Sequence, residues 1–258
     1  MTHITRFALI ALALSATASA GTLRVGASPV PHAEILEVVK PILAKQGVNL
    51  VIREFTDYVQ PNLALADGSI DVNFFQHVPY LNEFQKGRPL GIVAGAKVHV
   101  EPIGLYSKRV KDLKALKAGA TIAIPNDPSN SGRALKLLER AGLIRLRPEA
   151  GVQATVRDIT TNVKRLKFRE LEAAQLPRAL ADVDAAIINT NYALEANLNP
   201  LKDALVLEDK RSPYANVLAA KPATLKNPDY LKLVKALQSP EVKAFLLKKY
   251  NGAVVPAF

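Results

Sequence analysis

The residues best suited to chemistry in this chain fall in three short runs. Pro125-Asn126-Asp127-Pro128-Ser129-Asn130-Ser131-Gly132-Arg133 joins an expected strand to an expected helix over Ser131 to Ala141. Asn130 or Ser131 can cap that helix, which places Arg133 in its first turn. Amide N–H groups and the positive end of the helix dipole attract anions there, and a guanidinium can grip a carboxylate through two hydrogen bonds. A capped helix with a solvated arginine has the same pattern. Asn73-Phe74-Phe75-Gln76-His77-Val78-Pro79-Tyr80 crowds aromatic, amide and imidazole groups at the end of a strand. That suits a ligand with an apolar body and polar ends, a thioether for example. One of the two phenylalanines must face the core, because strand side chains alternate. Ile187-Ile188-Asn189-Thr190-Asn191-Tyr192 and Ser212-Pro213-Tyr214-Ala215-Asn216 supply asparagines, which donate and accept and so suit a zwitterion, although asparagine is equally a turn former.

Catalytic patterns are weaker. Beyond the leader the histidines are His32, His77 and His99, with no HExxH motif and no His-x-His pair, so no metal site is expected. Ser129 and Ser131 lack nucleophile-elbow spacing, and the glycines do not form a phosphate-binding loop. No acid–base pair is marked out among the carboxylates. No catalytic residue and no cofactor is expected, and the chain is read as a non-enzyme.

Residues 1–20 read as a signal peptide. Arg6 is the basic n-region, Phe7 to Leu14 the apolar run, and Ala18-Ser19-Ala20 the cleavage site before Gly21. There are no cysteines, which excludes disulfides, thiol nucleophiles and cysteine-ligated metals. The expectation is an exported periplasmic protein with no lipid anchor. The net charge of +11 is spread along the chain without a dense basic arm or tryptophan, so a solvated basic surface is expected rather than a nucleic-acid site.

The elements that must position these runs alternate. Strands are expected at Thr22 to Ala27, Val48 to Phe55, Asp71 to Phe75, Thr121 to Pro125, Leu166 to Glu172, Ala185 to Asn189 and Leu205 to Glu208. Helices are expected at Ala33 to Gln46, from Pro61 to Gly68, at Val78 to Lys86, and over Asp229 to Tyr250 with a break near Pro240. Gly91 to Ser107 reads as two extended pieces broken near Pro102. This order argues for parallel sheets of the α/β class. An internal echo supports two similar lobes: Ala64-Leu65-Ala66-Asp67 precedes Asp71 and its strand, and Ala179-Leu180-Ala181-Asp182 precedes Asp184 and its strand. Ligands in such sheets sit beyond the carboxyl ends of the strands.

In these residues the chain resembles the methionine-binding lipoprotein family of NlpA type, the substrate-binding components of methionine ABC importers. The resemblance rests on FTDYVQPNLALADGSIDVNFFQHVPYL (55–81), EPIGLYS (101–107), PNDPSNSGRALKLLERAGLI (125–144), AIINTNYA (186–193) and EDKRSPYANVL (208–218). It implies a type II periplasmic-binding-protein fold: residues 21–106 with 215–258 as one lobe, 107–214 as the other, and crossings near Tyr106 and Tyr214. It implies that Arg133 holds a ligand carboxylate, that Asn189 and Asn216 bind the polar end, and that Tyr58, Phe75, His77 and Tyr80 line a thioether pocket. The partners implied are methionine or a related small ligand and an ABC transporter permease, with the protein a monomer. The alternatives are another small amino acid, a methionine derivative or a short peptide, and an enzyme on the same scaffold. Two departures stand out. The family's lipobox cysteine is missing, and Val30 stands where the family often has glycine, where a branched side chain would reshape the pocket edge.

Overall fold

The computed structural model describes residues 21–209 and 211–258, so the expected signal peptide lies outside the described residues. In chain order the first elements are β1 (Gly21–Ala27), α1 (Glu34–Ala44), β2 (Val48–Glu54), α2 (Gln60–Asp67), β3 (Val72–His77), α3 (Val78–Phe84) and β4 (Val93–Val100). After these come β5 (Gly104–Tyr106), β6 (Thr121–Pro125), α4 (Pro128–Arg140), β7 (Arg145–Leu146), β8 (Ile159–Thr161), β9 (Lys167–Leu171), α5 (Leu176–Ala179) and β10 (Ala185–Ile188). The chain ends with α6 (Thr190–Glu195), α7 (Pro200–Asp203), β11 (Ala204–Leu207), β12 (Ala215–Ala220), α8 (Pro228–Leu237), α9 (Pro240–Tyr250) and β13 (Val255–Pro256).

The strands form a six-stranded sheet, β13-β4-β12-β3-β1-β2, and a five-stranded sheet, β11-β5-β10-β6-β9, beside a small β7-β8 pair. Each large sheet is covered by helices on both faces. On one face of the first sheet, Ile35, Leu36, Val39 and Leu43 of α1 pack with Leu233 and Leu237 of α8 and Leu246 of α9. Their near-fourfold spacing puts them on one helical stripe. Leu65 and Leu81 cover the other face. Leu135 and Leu138 of α4 pack on the second sheet, and Leu176 and Tyr192 lie on its far side.

The sheets are mixed, not purely parallel as the alternation of elements suggested. β12 runs antiparallel to β3 and β4, and β5 runs antiparallel to β10 and β11. The physical reason is the crossing itself. The chain passes from the first sheet to the second between Val100 and Gly104 and returns between Leu207 and Ala215. A strand reached by crossing enters from the end where its neighbour finishes: Gly104 pairs with Ile188, and Asn216 with His77. Residues 104–106, placed by sequence at the end of the first lobe, therefore hydrogen-bond in the second sheet.

The internal echo has a structural counterpart. Asp71 accepts from the Arg24 backbone N–H of β1 at 2.8 Å, and Asp184 accepts from the Thr121 N–H of β6 at 2.8 Å. In each sheet a carboxylate just before one strand caps an N–H of its parallel neighbour. Val30, by contrast, adopts an extended backbone (φ −122°, ψ 134°) that needs no glycine, and it packs against the first core rather than reshaping the cleft edge.

Helix α4 starts earlier than expected. Pro128 at its first position presets φ, and the Asp127 carboxylate accepts from Asn130 N–H at 2.9 Å as the cap. Arg133 therefore lies beyond the first turn. Gly132 permits a close approach: a Cβ there would stand 2.2 Å from the Val152 carbonyl oxygen and 3.0 Å from Ala154 N, both backbone atoms. Gly132→Ala is therefore expected to push α4 away from residues 148–154 and to cost about 1–3 kcal/mol. Urea unfolding of the variant against the parent measures it, and an unchanged midpoint would contradict this packing.

Candidate functional site

The carboxyl ends of β3 and β10, helix α4 after β6, the first crossing segment and the start of β12 converge on one cleft of about 340 Å³, space open to solvent included. All seven residues singled out from sequence line it: Tyr58, Phe75, His77, Tyr80, Arg133, Asn189 and Asn216. The structure adds Glu101, which sequence reasoning passed over, and places in the same wall Asn191, named only within its asparagine run, and Asn130, read only as a helix cap. Several hydrogen bonds bridge the two sheets across the cleft: Tyr58 Oη donates to Asn191 Oδ1, and Tyr192 Oη donates to the Thr56 carbonyl at 3.1 Å.

Arg133 is 4% exposed. Its Nε donates to Glu208 Oε1 at 3.0 Å, and Nη2 donates to Glu208 Oε2 and to the Glu101 carbonyl at 2.7 Å. Its carbon Cζ sits 4.3 Å from the centre of the Tyr214 ring. A bidentate ion pair in a buried site fixes the plane of the guanidinium. Among the described residues Nη1 takes no hydrogen bond, and Arg133 is part of the cleft wall.

The wall opposite is aromatic. Tyr58, Phe75 and Tyr80 form a triangle with ring centres 5.7–6.0 Å apart. Phe74, next in sequence, points into the first core, as alternation requires. His77 is anchored from both sides. The Tyr80 N–H donates to its Nδ1 at 3.2 Å, so Nε2 carries the proton and donates to Asn130 Oδ1 at 3.2 Å.

The orientation of the amides follows from one fixed acceptor. The Asp127 carboxylate accepts from the Asn130 N–H and from Asn130 Nδ2. Burial pushes the Asp127 carboxyl up, while the Asn130 donors and Arg133 draw it back. With its Nδ2 thus engaged, Asn130 turns Oδ1 away, and Asn189 must present Nδ2 to it, at 3.1 Å. Asn189 Oδ1 and Asn191 Nδ2 are then buried without a protein partner among the described residues. Arg133, Asn189 and Asn191 all stand in the cleft wall, and Asn189 Oδ1 is a buried acceptor there without a protein partner.

A second polar group lies beneath it. His32 Nε2 and His99 Nε2 approach Glu101 Oε1 at 3.2 and 2.7 Å, and His32 Nε2 also meets Asn216 Oδ1 at 3.1 Å. The separation in sequence hid this cluster, whose three donors could in principle hold a metal ion. The 2.7 Å contact is a hydrogen bond. Zinc–ligand bonds of about 2.0–2.1 Å at tetrahedral angles would hold the two ligand atoms roughly 3.3 Å apart. The nearest sequence hint was His99-x-Glu101 in an otherwise apolar strand end.

A polar, aromatic-walled cleft between two α/β layers defines a two-lobed binding protein of the periplasmic-binding-protein type. The profile of the NlpA lipoprotein family spans residues 23–258, and the chain belongs to that family. It is 42% identical over 236 residues to the D-methionine-binding lipoprotein MetQ of Escherichia coli (strain K12), covering 90% of this chain and 87% of that protein. It is 44% identical over 237 residues to the membrane lipoprotein TpN32 of Treponema pallidum (strain Nichols), covering 92% and 88%. Among solved structures, a nutrient-binding protein from Burkholderia cenocepacia bound to methionine is similar with a TM-score of 0.89 at 51% identity, over 92% of this chain and 100% of that one.

These relatives correct one expectation. The family is one of lipoproteins, and both named sequence relatives are lipoproteins, which overturns the expectation of a periplasmic protein with no lipid anchor. A count of zero cysteines excludes a lipid linked through cysteine sulfur on these 258 residues and decides nothing more about membrane attachment.

Burial lowers the pKa of His77 to about 3, with Arg133 adding to the effect. A base held neutral in the fold but protonated near its ordinary value of 6.5 when unfolded stabilises the protein above that value. Its contribution is lost as the pH falls from 6.5 towards 3, by up to about 1.4 kcal/mol per pH unit. His77→Gln keeps a donor for Asn130 and cannot take up this proton. Its unfolding free energy is expected to fall less steeply between pH 6.5 and 4 than the parent's, by about that slope. Urea titrations at several pH values measure the difference, and parallel curves would contradict it.

Proposed function

We propose that the protein is a substrate-binding protein that captures methionine and delivers it to an ABC importer, and that it is not an enzyme. The observation that carries this reading is the buried guanidinium of Arg133, immobilised by Glu208 with Nη1 left for a carboxylate, facing a wall of three aromatic rings. A carboxylate entering the cleft loses its hydration and needs a paired charge to offset the loss. Asn189 and Asn216 serve the polar end. Tyr58, Phe75 and Tyr80 receive the thioether, where sulfur–aromatic contacts contribute about 0.3–1.5 kcal/mol each, and His77 closes that pocket from below. The methionine-binding relatives support the choice of ligand.

In this reading the two sheets are the cores of two lobes that hinge at residues 101–103 and at the return crossing next to Ala215, and close on the ligand, as this architecture commonly does. Small-angle scattering is expected to show compaction when methionine is added. Superimposable profiles at saturation would remove the hinge.

Arg133→Ala is expected to weaken methionine binding by 2–5 kcal/mol, roughly thirtyfold to several thousandfold. Asn216→Ala should cost about 1–3 kcal/mol. Arg145→Ala, exposed on strand β7, should change affinity by less than about 0.5 kcal/mol. Titration calorimetry tests the ordering, with a thermal melt of each variant to establish folding. An Arg133→Ala protein that binds methionine as the parent does would sink the carboxylate site.

A further inference from the structure

Far from the cleft, cations accumulate on two neighbouring turns of the second sheet's layer. Strands β6, β9 and β10 run parallel, and the chain leaves β10 at the cleft. Their starts, at Thr121, Lys167 and Ala185, therefore mark the opposite pole. β5 ends at that pole, because it runs antiparallel to β10. Residues 108–117, which follow β5, carry Lys108, Arg109, Lys111, Lys114 and Lys117 against a single carboxylate, Asp112. The turn before β9 adds Lys164, Arg165 and Lys167 and no carboxylate. The two segments are locked together. Lys164 Nζ donates to the Lys114 and Leu116 carbonyls at 3.2 and 2.7 Å, and the Gly119 N–H donates to the Lys164 carbonyl at 2.7 Å.

Two of the carboxylates here are already engaged. Asp112 accepts from the Lys114 N–H, and Asp184 accepts from Arg109 and from the Thr121 N–H. Lys108, Lys111, Lys114, Lys117, Arg165 and Lys167 have no ion pair among the described residues. Asp182 and Asp203, just before β10 and β11, are further carboxylates of this pole, and the cations still outnumber them. Among these cations stands Val163, 83% exposed. Its turn is held rigidly. Asn162 Oδ1 accepts from the Leu166 N–H at 2.8 Å, its Nδ2 donates to the Leu166 carbonyl at 2.9 Å, and the Arg165 N–H donates to the Asn162 carbonyl at 2.9 Å. Clusters of lysine and arginine bind anionic lipid surfaces, and an apolar side chain among them enters the interface. Nucleic acid carries the same charge, but neither 108–117 nor 162–167 holds an aromatic residue on which a base could stack. The chain belongs to a family of lipoproteins, for which a bilayer is the polyanion at hand.

We propose that this pole is a docking surface for an anionic lipid bilayer, with the cations among the lipid phosphates and Val163 in the interface. The proposal does not depend on what the cleft binds. The cleft lies at the other ends of the same strands, so it faces away from the docked bilayer.

Co-sedimentation of the full chain with vesicles tests this. The parent is expected to bind vesicles of phosphatidylglycerol and phosphatidylcholine in equal parts about tenfold or more tighter than vesicles of phosphatidylcholine alone, and to lose that margin at high salt. Lys111→Gln combined with Lys114→Gln should weaken binding to the anionic vesicles by roughly twentyfold, about fivefold per lysine. Val163→Ser should weaken it by about threefold or more without changing how steeply it falls with salt. Lys235→Gln combined with Lys248→Gln removes the same charge from exposed positions of α8 and α9, and should change binding by less than about twofold. Thermal melts establish that each variant is folded. Residues 1–20 are common to all the proteins, so their apolar run cannot produce a difference between variants. Equal binding of the parent to the two kinds of vesicle would overturn the proposal. So would equal losses in the two lysine pairs, which would mean that net charge alone draws the protein to the surface. A DNA duplex that binds more tightly than the anionic vesicles, and loses that binding in the Lys111 and Lys114 double variant, would assign the patch to nucleic acid instead.

Discussion

The buried ion pair between Arg133 and Glu208 ties the cleft together. Arg133 belongs to α4 of the second sheet's layer, Glu208 follows β11, and the carbonyl that shares Nη2 belongs to Glu101, between β4 and β5. One guanidinium thus touches both places where the chain passes between the sheets, and Tyr214, in the second crossing, lies over its face. Removing such a charge from water costs several kcal/mol, and excellent geometry is required to offset it. This site has that geometry, with a bidentate carboxylate, a carbonyl and an aromatic face. The plane of the guanidinium is then set by the crossings themselves.

The crossings also explain the topology. A chain that leaves one sheet at the cleft must enter the other from the cleft, and its first strand there runs away from it. β5 and β12 are those strands, and each is antiparallel to the strand whose carboxyl end meets it. Each sheet therefore places side by side, at the cleft, the end of one strand and the start of another. In the first sheet this juxtaposes His77 and Asn216; in the second it puts Asn189, just past β10, beside the start of β5. The matched caps of Asp71 and Asp184 repeat this plan in both halves.

Much of this was legible in the sequence, because it depends on local signals. The amphipathic stripe of α1, the left-handed Gly68 that stops α2 and the strand-to-helix run around Arg133 are all short-range patterns. The α4 cap was misplaced because Asp127, Asn130 and Ser131 are all competent caps, and only Pro128, whose ring suits a first helical position, decides between them. β12 was hidden for a different reason. Ala215–Ala220 is short and alanine-rich, and both strands that pair with it are more than a hundred residues earlier in the chain. Glu101 and His99 were missed on the same ground: the partner that makes them a cluster, His32, lies 67 residues before His99, and no periodicity reports such a contact.

The polar network follows a rule that the individual residues do not reveal. Asparagine can present either end of its amide, so a cleft rich in asparagines could in principle adapt to many guests. Here that freedom is removed, residue by residue. Asp127 can only accept, which turns Asn130, which in turn fixes Asn189 with its oxygen free. Tyr58 donates to Asn191 Oδ1 and leaves its nitrogen free. His32 faces Asn216 Oδ1 and directs the other end of that amide elsewhere. The reference points of these chains are groups whose polarity is fixed by covalent chemistry or by a neighbouring bond: a carboxylate, a phenol and an imidazole. Chains of hydrogen bonds polarise one another in a low-dielectric interior, so a misoriented guest meets like ends of several dipoles at once. Discrimination then comes from the penalty on the wrong guest as much as from attraction to the right one.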